Sequence, residues 1–382
     1  MKIYLITLLS TTALLLGVTW YLHYSFISPP FDDFLSTAYE WQNMSKGVVQ
    51  TGKHANTREY KYYSLRRGLS EYEVVVLGSS RSYGLRSNHF QTPAFFNAAV
   101  PTNSFPCVLE EFNEFAPQMP NLKLMVVSVD LIAHLQSSAK CHKNYTDRVK
   151  AENLKITAET KVRKPSRKDL LMSVNWIRHA LTNPERELTD LWTPKPYRCP
   201  NEDSLGIDYF RVHVGKCLGF RHDGSNTYAY LGNRKPAGLA NLFPKHNNSY
   251  EFKTGWISSI IETVNTLKKR GVKTVFIIPP IFPTAVEQLI SPPIRTNLDT
   301  ARTNFSNAIR SRGLVIVDAL DSSPYNCTFD DFVDAEHARS ACFRKIIEAH
   351  PKEFLLPVRS EKAVGPTRNG HHSLTEFSTS AP

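Results

Sequence analysis

Two short stretches of this chain carry residue types that could do covalent chemistry together. The first is "VVVLGSSRS", in which four apolar residues run into Gly78, Ser79, Ser80 and Arg81. Gly frees the backbone at the end of a strand and Ser caps helices well, so an ordinary strand-to-helix turn would explain the pattern. A serine at the mouth of a helix also has backbone N–H groups aimed at any oxyanion that develops beside it, which makes Ser80 a candidate nucleophile. The second stretch is "DFVDAEHARSACFRKI", where Asp334 and His337 stand three residues apart just before a helix expected from about Ala338.

A serine hydroxyl is inert near neutral pH and needs a base to take its proton, a task suited to imidazole. The imidazole in turn needs an acceptor on its other nitrogen. An Asp three residues upstream on the same turn can hold the ring and stabilise the imidazolium, so Ser80, His337 and Asp334 could form a triad whose acid and base share one loop. Acidic residues near the positive end of a helix are common for electrostatic reasons alone, so the Asp–His pair also has a purely structural reading.

The elements that must position these groups are visible as strand-like runs at residues 74–77, 94–99, 124–129, 272–278 and 314–317. Three of them are near-continuous aliphatic stretches, as in a parallel sheet covered on both faces. Helical patterns lie between them at 107–119, 251–271 and 296–313, two of which end in basic residues followed by Gly. Strand alternating with helix implies right-handed crossovers and an α/β, doubly wound parallel sheet, with ligands bound beyond the carboxyl ends of the strands. Three loops then matter: Gly78 to Arg81, "NAAVPTNS" from Asn97 onward, and the Asp334–His337 turn.

The rest of the chain divides around this domain of residues 71–355. Residues 28–70 read as a linker and an aromatic-studded approach segment with no clear period, residues 135–250 as an insertion or subdomain that breaks the alternation, and residues 356–382 as a tail too poor in apolar residues to fold. Within the insertion, "KVRKPSRK" is a basic run that is either a solvated face or a landing strip for an anionic glycan or lipid headgroups.

Residues 3–22 contain no charge, about the twenty needed to cross a hydrocarbon core, and are followed by no small-x-small cleavage pattern. Lys2 precedes them and Asp32 and Asp33 follow, so the expectation is a single-pass anchor over residues 1–27, N-terminus cytoplasmic, the remainder extracytoplasmic, in a periplasm or at a cell surface. A cleaved signal peptide is the competing reading. Outside the cytoplasm the six cysteines can pair, and fifteen pairings are open. They show no zinc spacing, and neither a metal nor a cofactor is expected. The net charge of +11 suits an anionic partner. An external location argues against nucleic acid.

A strand ending in Gly-x-Ser, an Asn-containing loop after the second strand and Asp-x-x-His before the last helix resemble the SGNH, or GDSL-type, hydrolase and acyltransferase superfamily. The variant "LGSSR" is similar to its membrane-anchored bacterial members, which serve envelope polysaccharides and include the alginate O-acetylation and D-alanyl-teichoic-acid proteins. The resemblance spans about residues 73–133 and 272–350. It implies a three-layer, flavodoxin-like domain with Ser80 as nucleophile, His337 as base and Asp334 as its orienting partner.

The pattern departs from the family at three positions. Ser79 stands where an Asp is usual. Thr102, with Asn103 beside it, replaces the Gly that donates a backbone N–H to the oxyanion. Asp130 follows the third strand where an Asn donor is expected, and a carboxylate there would repel an oxyanion unless it turns away, is protonated or does another job. Asn97 and Asn103 are substitute donors, and Arg81 could neutralise Asp130, contact an anionic substrate or form a structural salt bridge.

The resemblance implies an O-acetyltransferase or O-acetylesterase for an exported polysaccharide or other acylated glycan, with an acyl-donor protein of the membrane as a partner. The rival reading is a catalytically silent domain of the same fold that binds glycan or a membrane partner through its basic insertion, which Asp130 and Thr102 favour.

Overall fold

The computed structural model describes residues 17, 31–51, 54–101, 105–131, 196–199, 205–208, 217, 219–227, 255–282 and 292–357. The expected anchor at 3–22 (Gly17 apart), the basic run at 161–168, most of the insertion, the tail beyond 357, and Thr102 and Asn103 lie outside these residues. Among the described residues no helix is long and apolar enough to cross a membrane.

In chain order the elements are α1 (Phe31–Ser45), β1 (Val48–Gln50), α2 (His54–Arg67), β2 (Val74–Leu77), β3 (Phe95–Asn97), α3 (Phe105–Phe115), β4 (Leu124–Ser128), β5 (Tyr197–Arg198), β6 (Leu205–Asp208), α4 (Gly255–Lys269), β7 (Lys273–Ile278), α5 (Pro292–Arg310), β8 (Val315–Asp318), α6 (Ser340–Ala349) and the single turn α7 (Pro351–Phe354). Five strands form a wholly parallel sheet in the order β3-β2-β4-β7-β8.

The central strands β2, β4 and β7 are mostly apolar because each face of the sheet is covered there. Val75, Leu77, Met125, Val127, Phe276 and Ile278 point into a core shared with α3, α4 and α5. Their alternates Val74, Val76, Leu124, Val126, Val275 and Ile277 point into a second core closed by Phe343, Ile346 and Ile347 of α6. This is the period of two expected of strands, with both sides dry. The strand order reverses at β2: the chain goes from β2 outward to β3, then returns to the other side as β4. The crevice at such a reversal, beyond the carboxyl ends of β2 and β4, is where open α/β sheets bind ligands.

The approach segment differs from the sequence expectation, since residues 31–67 fold into α1, β1 and α2. Strand β1 pairs parallel to β6, which pairs antiparallel to β5, in a small separate sheet built jointly with the insertion. The lack of a sequence period in α2 has a physical cause. Tyr60, Lys61 and Tyr62 are consecutive and all buried, so this helix is enclosed on more than one side and has no simple polar face.

Cys199 pairs with Cys217 beside the small sheet, and Cys327 pairs with Cys342, tying the loop after β8 to α6. Cys107 of α3 is also disulfide-bonded.

Candidate active site

The turn after β2 is built around a close approach. A Cβ on Gly78 would come within 2.6 Å of the Ser128 Cβ and 2.7 Å of the Ser82 Oγ, so only glycine lets β2 leave the sheet here. Ser79 then caps a short 3-10 turn, Ser80–Ser82, its Oγ accepting from the Arg81 N–H at 3.3 Å. The N-cap role that Ser offers is thus filled by Ser79, and Ser80 is left to face outward.

The Oγ of Ser80 lies 3.0 Å from Nε2 of His337. The Nδ1 of His337 lies 2.9 Å from both carboxylate oxygens of Asp334. The turn holding the pair is closed by Asp334 Oδ1, which also accepts from the backbone N–H groups of Glu336 and His337, each at 2.9 Å. Burial pushes the Asp334 carboxyl up, but these hydrogen bonds and the His337 charge outweigh it and hold the group at about 2. Asp334 is therefore an anion that can only accept, so the ring proton of neutral His337 sits on Nδ1 and Nε2 is bare. A bare Nε2 facing a hydroxyl at 3.0 Å can take its proton. For His337, burial alone would lower the pKa, while the hydrogen bond and charge of Asp334 and the charge of Glu336 more than offset it and leave the ring above its ordinary value. Its side chain is 24% exposed, so the pair is reachable from outside.

Behind this cluster lies a buried ionic knot. The guanidinium of Arg81 is 1% exposed. It donates to Asp130 Oδ1 at 2.9 Å, to the carbonyls of Pro279 and Pro280 at 2.9 and 3.2 Å, and to the Glu336 carbonyl at 3.4 Å. The second Asp130 oxygen accepts from the Ser79 hydroxyl at 2.6 Å. Arg81 thereby ties together the ends of β2, β4 and β7 and the turn bearing His337. Of the roles open to it in the sequence, the buried salt bridge is the one it occupies. Asp130 turns to Ser79 and Arg81 with both oxygens, so its charge is neutralised where it would otherwise oppose a developing oxyanion.

Asn97 is fully buried, and both its Nδ2 hydrogens are spent on the carbonyls of Ser82 and Leu85 at 2.8 and 3.0 Å, while its Oδ1 accepts from the Ala99 N–H. This side chain braces the loop after Ser80 and has no proton to offer a substrate. The other expected donors, Thr102 and Asn103, lie outside the described residues.

One buried group has no precursor in the sequence analysis. Lys61 of α2 is 1% exposed and donates to the carbonyls of Asn97 and Ala99 at 2.9 and 2.7 Å, with its ammonium 4.4 Å from the centres of both the Tyr83 and Phe220 rings. Burial drives its pKa well down, against the pull of Asp223. Tyr83 is three residues past Ser80 and Phe220 belongs to the insertion, so this cation joins the approach segment, the insertion and the loop after β3. Nothing in a segment without a period marks one lysine as internal.

No family model and no curated protein matches the chain. Among solved structures it is similar to the crystal structure of a protein provisionally named an acylhydrolase, from Bacteroides fragilis, at 9% identity, covering 83% of this chain and 94% of that one with a TM-score of 0.33. So remote a likeness carries no residue correspondence.

Proposed function

We propose that the protein is a serine acyl-transfer enzyme in which Ser80 is the nucleophile, His337 the general base and Asp334 its orienting partner. The observation that carries this reading is the unbroken run of contacts from the Ser80 hydroxyl through the His337 ring to the Asp334 carboxylate, 3.0 and 2.9 Å, at the crevice where the strand order reverses. In the first half-reaction Ser80 Oγ attacks the acyl carbonyl carbon as His337 Nε2 takes its proton. The tetrahedral adduct then expels the alkoxide of the donor, which takes that proton back from His337 and leaves an ester on Ser80. In the second half, His337 removes a proton from a sugar hydroxyl or a water, which attacks the ester carbonyl; the adduct then expels Ser80 Oγ, which takes that proton back from His337. The same groups serve an O-acetyltransferase and an O-acetylesterase, and water exclusion around the acyl-enzyme decides between them.

The resemblance to SGNH-type envelope proteins makes an exported polysaccharide the acceptor we favour, with the domain held outside the cytoplasm by residues 3–22. The disulfides Cys199–Cys217 and Cys327–Cys342 support that compartment, since such bonds persist in oxidising surroundings. A silent, glycan-binding domain is the second reading, and it is favoured by the position after β4, where Asp130 brings no donor and is locked in an ion pair. The purified full-length protein, given an acetyl ester as donor and oligosaccharides as acceptors, separates the two. Release or transfer of acetate that disappears in Ser80→Ala supports the enzyme. Saturable oligosaccharide binding with no turnover by either form supports the binder.

A further inference from the structure

The two ends of the large sheet are chemically unlike. Ser80 and its partners occupy the carboxyl ends of the strands. At the amino ends a cleft of about 440 Å³ opens, lined by Lys268, Lys273, Lys352, Leu355, Leu356 and Val272 among others. Helix α4 delivers Lys268 and Lys269 in its last turn, β7 opens with Lys273, and the turn α7 supplies Lys352, whose carbonyl accepts from the Lys273 ammonium. Beside these cations Leu355 stands 70% exposed. Glu353 is the acidic group whose field reaches Lys273.

The chain arrives at this same end. The Tyr60 hydroxyl of α2 donates to Gln42 of α1 at 2.6 Å and Tyr39 of α1 packs edge-on against Tyr63, so the two helices run antiparallel. Helix α2 finishes at Arg67, a few residues before the amino end of β2. Gln42 near the other end of α1 donates to the Phe220 carbonyl at 2.8 Å, and Phe220 packs on Tyr83 at the catalytic rim. The first turn of α1 at Phe31 therefore lies toward the amino end of the sheet, where the lysine cleft opens, about 16 Å of helix from Gln42.

We propose that the amino-end face of the sheet docks on an anionic membrane surface, its lysines on the headgroups and Leu355 inserted among them, so that Ser80 faces away from the bilayer. The orientation rests on the proposed reading of residues 3–22 as an anchor, which would tether the domain through its Phe31 end. The chemistry is that of an amphiphilic surface: cations reach phosphate while an apolar tip buries itself at the boundary. Each lysine held near such a surface is worth roughly a factor of five in partitioning, an effect that fades within about a Debye length, so charge and geometry must both fit. The docked face would present the nucleophile to a polymer beyond the membrane and keep lipid esters out of reach.

The test uses full-length protein mixed with vesicles of phosphatidylcholine alone or with phosphatidylglycerol, read by flotation and by hydrogen exchange. Expected is retention on both vesicles, with amides around residues 268–273 and 351–357 exchanging about fivefold more slowly on the anionic ones, and with that slowing lost in Lys268→Glu/Lys352→Glu. The variant's circular dichroism and melting temperature report that it is folded. Retention on both with no difference in exchange overturns the docking face and leaves the anchor standing. Loss from neutral vesicles overturns the anchor; docking then stands if anionic vesicles still hold the wild type and release the variant, and falls if neither vesicle holds the protein.

Discussion

Among the described residues two serine–histidine pairs lie at the rim of the sheet, and they are wired in opposite senses. His337 Nε2 meets Ser80 Oγ at 3.0 Å, and His89 Nε2 meets Ser340 Oγ at 2.9 Å. By distance alone either could be a nucleophile with its base. The difference lies on the far nitrogen. In His337, Nδ1 faces the Asp334 anion and must carry the proton, which leaves Nε2 free to accept one from serine. In His89, Nδ1 accepts from the backbone N–H of Arg86 at 3.2 Å, so the proton sits on Nε2 and is donated to Ser340. A base whose lone pair is already used cannot activate a hydroxyl. The surroundings reinforce the contrast, since burial, with Arg344 and Arg86 nearby, lowers His89 to about 4, whereas Asp334 raises His337. Proximity does not make a catalytic pair; the group behind the imidazole does.

The sharpest way to break this comparison is to remove each serine. Ser80→Ala is expected to lower acyl-ester turnover by about 10⁴-fold or more, with its melting temperature little changed, whereas Ser340→Ala should keep turnover within about twofold. Equal losses from the two would refute the distinction. Next in size is Asp334→Asn. An Asn amide can donate to Nδ1, which moves the ring proton to Nε2 and makes His337 electronically like His89. A fall of about 10⁴-fold in kcat with a near-normal KM is expected from that reversed tautomer, measured under steady-state conditions.

The buried knot makes its contribution through stability. Arg81→Met strands the Asp130 carboxylate in the interior and is expected to cost about 3–5 kcal/mol by denaturant unfolding. Arg81→Met/Asp130→Leu should recover a large part of that loss, because the uncompensated charge goes with the carboxylate. A smaller signal separates the two histidines by pH. His89 cannot readily take a proton in the fold while the unfolded chain can below about 6.5, so as pH falls from 6.5 toward 4 this site should withdraw about 2–3 kcal/mol of stability. His337 has the opposite sign: its raised pKa contributes stability that is present below about 6.5 and is lost as pH rises through the folded value. Unfolding free energies of wild type and His89→Leu between pH 7 and 4 read the difference, and a slope unchanged by the substitution would contradict it.

Strands β2, β4 and β7 were legible because burial on both faces selects near-continuous apolar runs, and Val74 to Leu77 followed by Gly reads as the end of such a strand. The Ser80, Asp334 and His337 positions were legible because small residues after a strand and an Asp three residues before a His are local patterns. What the sequence hid is what arises only between distant segments. Arg81 and Asp130 are 49 residues apart, and no local pattern says that their charges cancel. Asn97 looked like a donor for substrate and instead has its amide committed to Ser82 and Leu85, a use fixed by how the next turn folds back. Helix α2 carried no periodic signal because it is enclosed by aromatic neighbours, and so Lys61 could not be told from a surface lysine.

The central question is whether His337 activates Ser80. Treatment of the folded full-length protein with a fluorophosphonate, followed by peptide mass analysis, tests this most directly. The expected result is one phosphonyl adduct, on Ser80 and not on Ser340, formed at a rate that drops about tenfold per pH unit below the His337 pKa and is abolished in His337→Ala. An unlabelled Ser80 in folded protein, or labelling at Ser340 as fast as at Ser80, would contradict it.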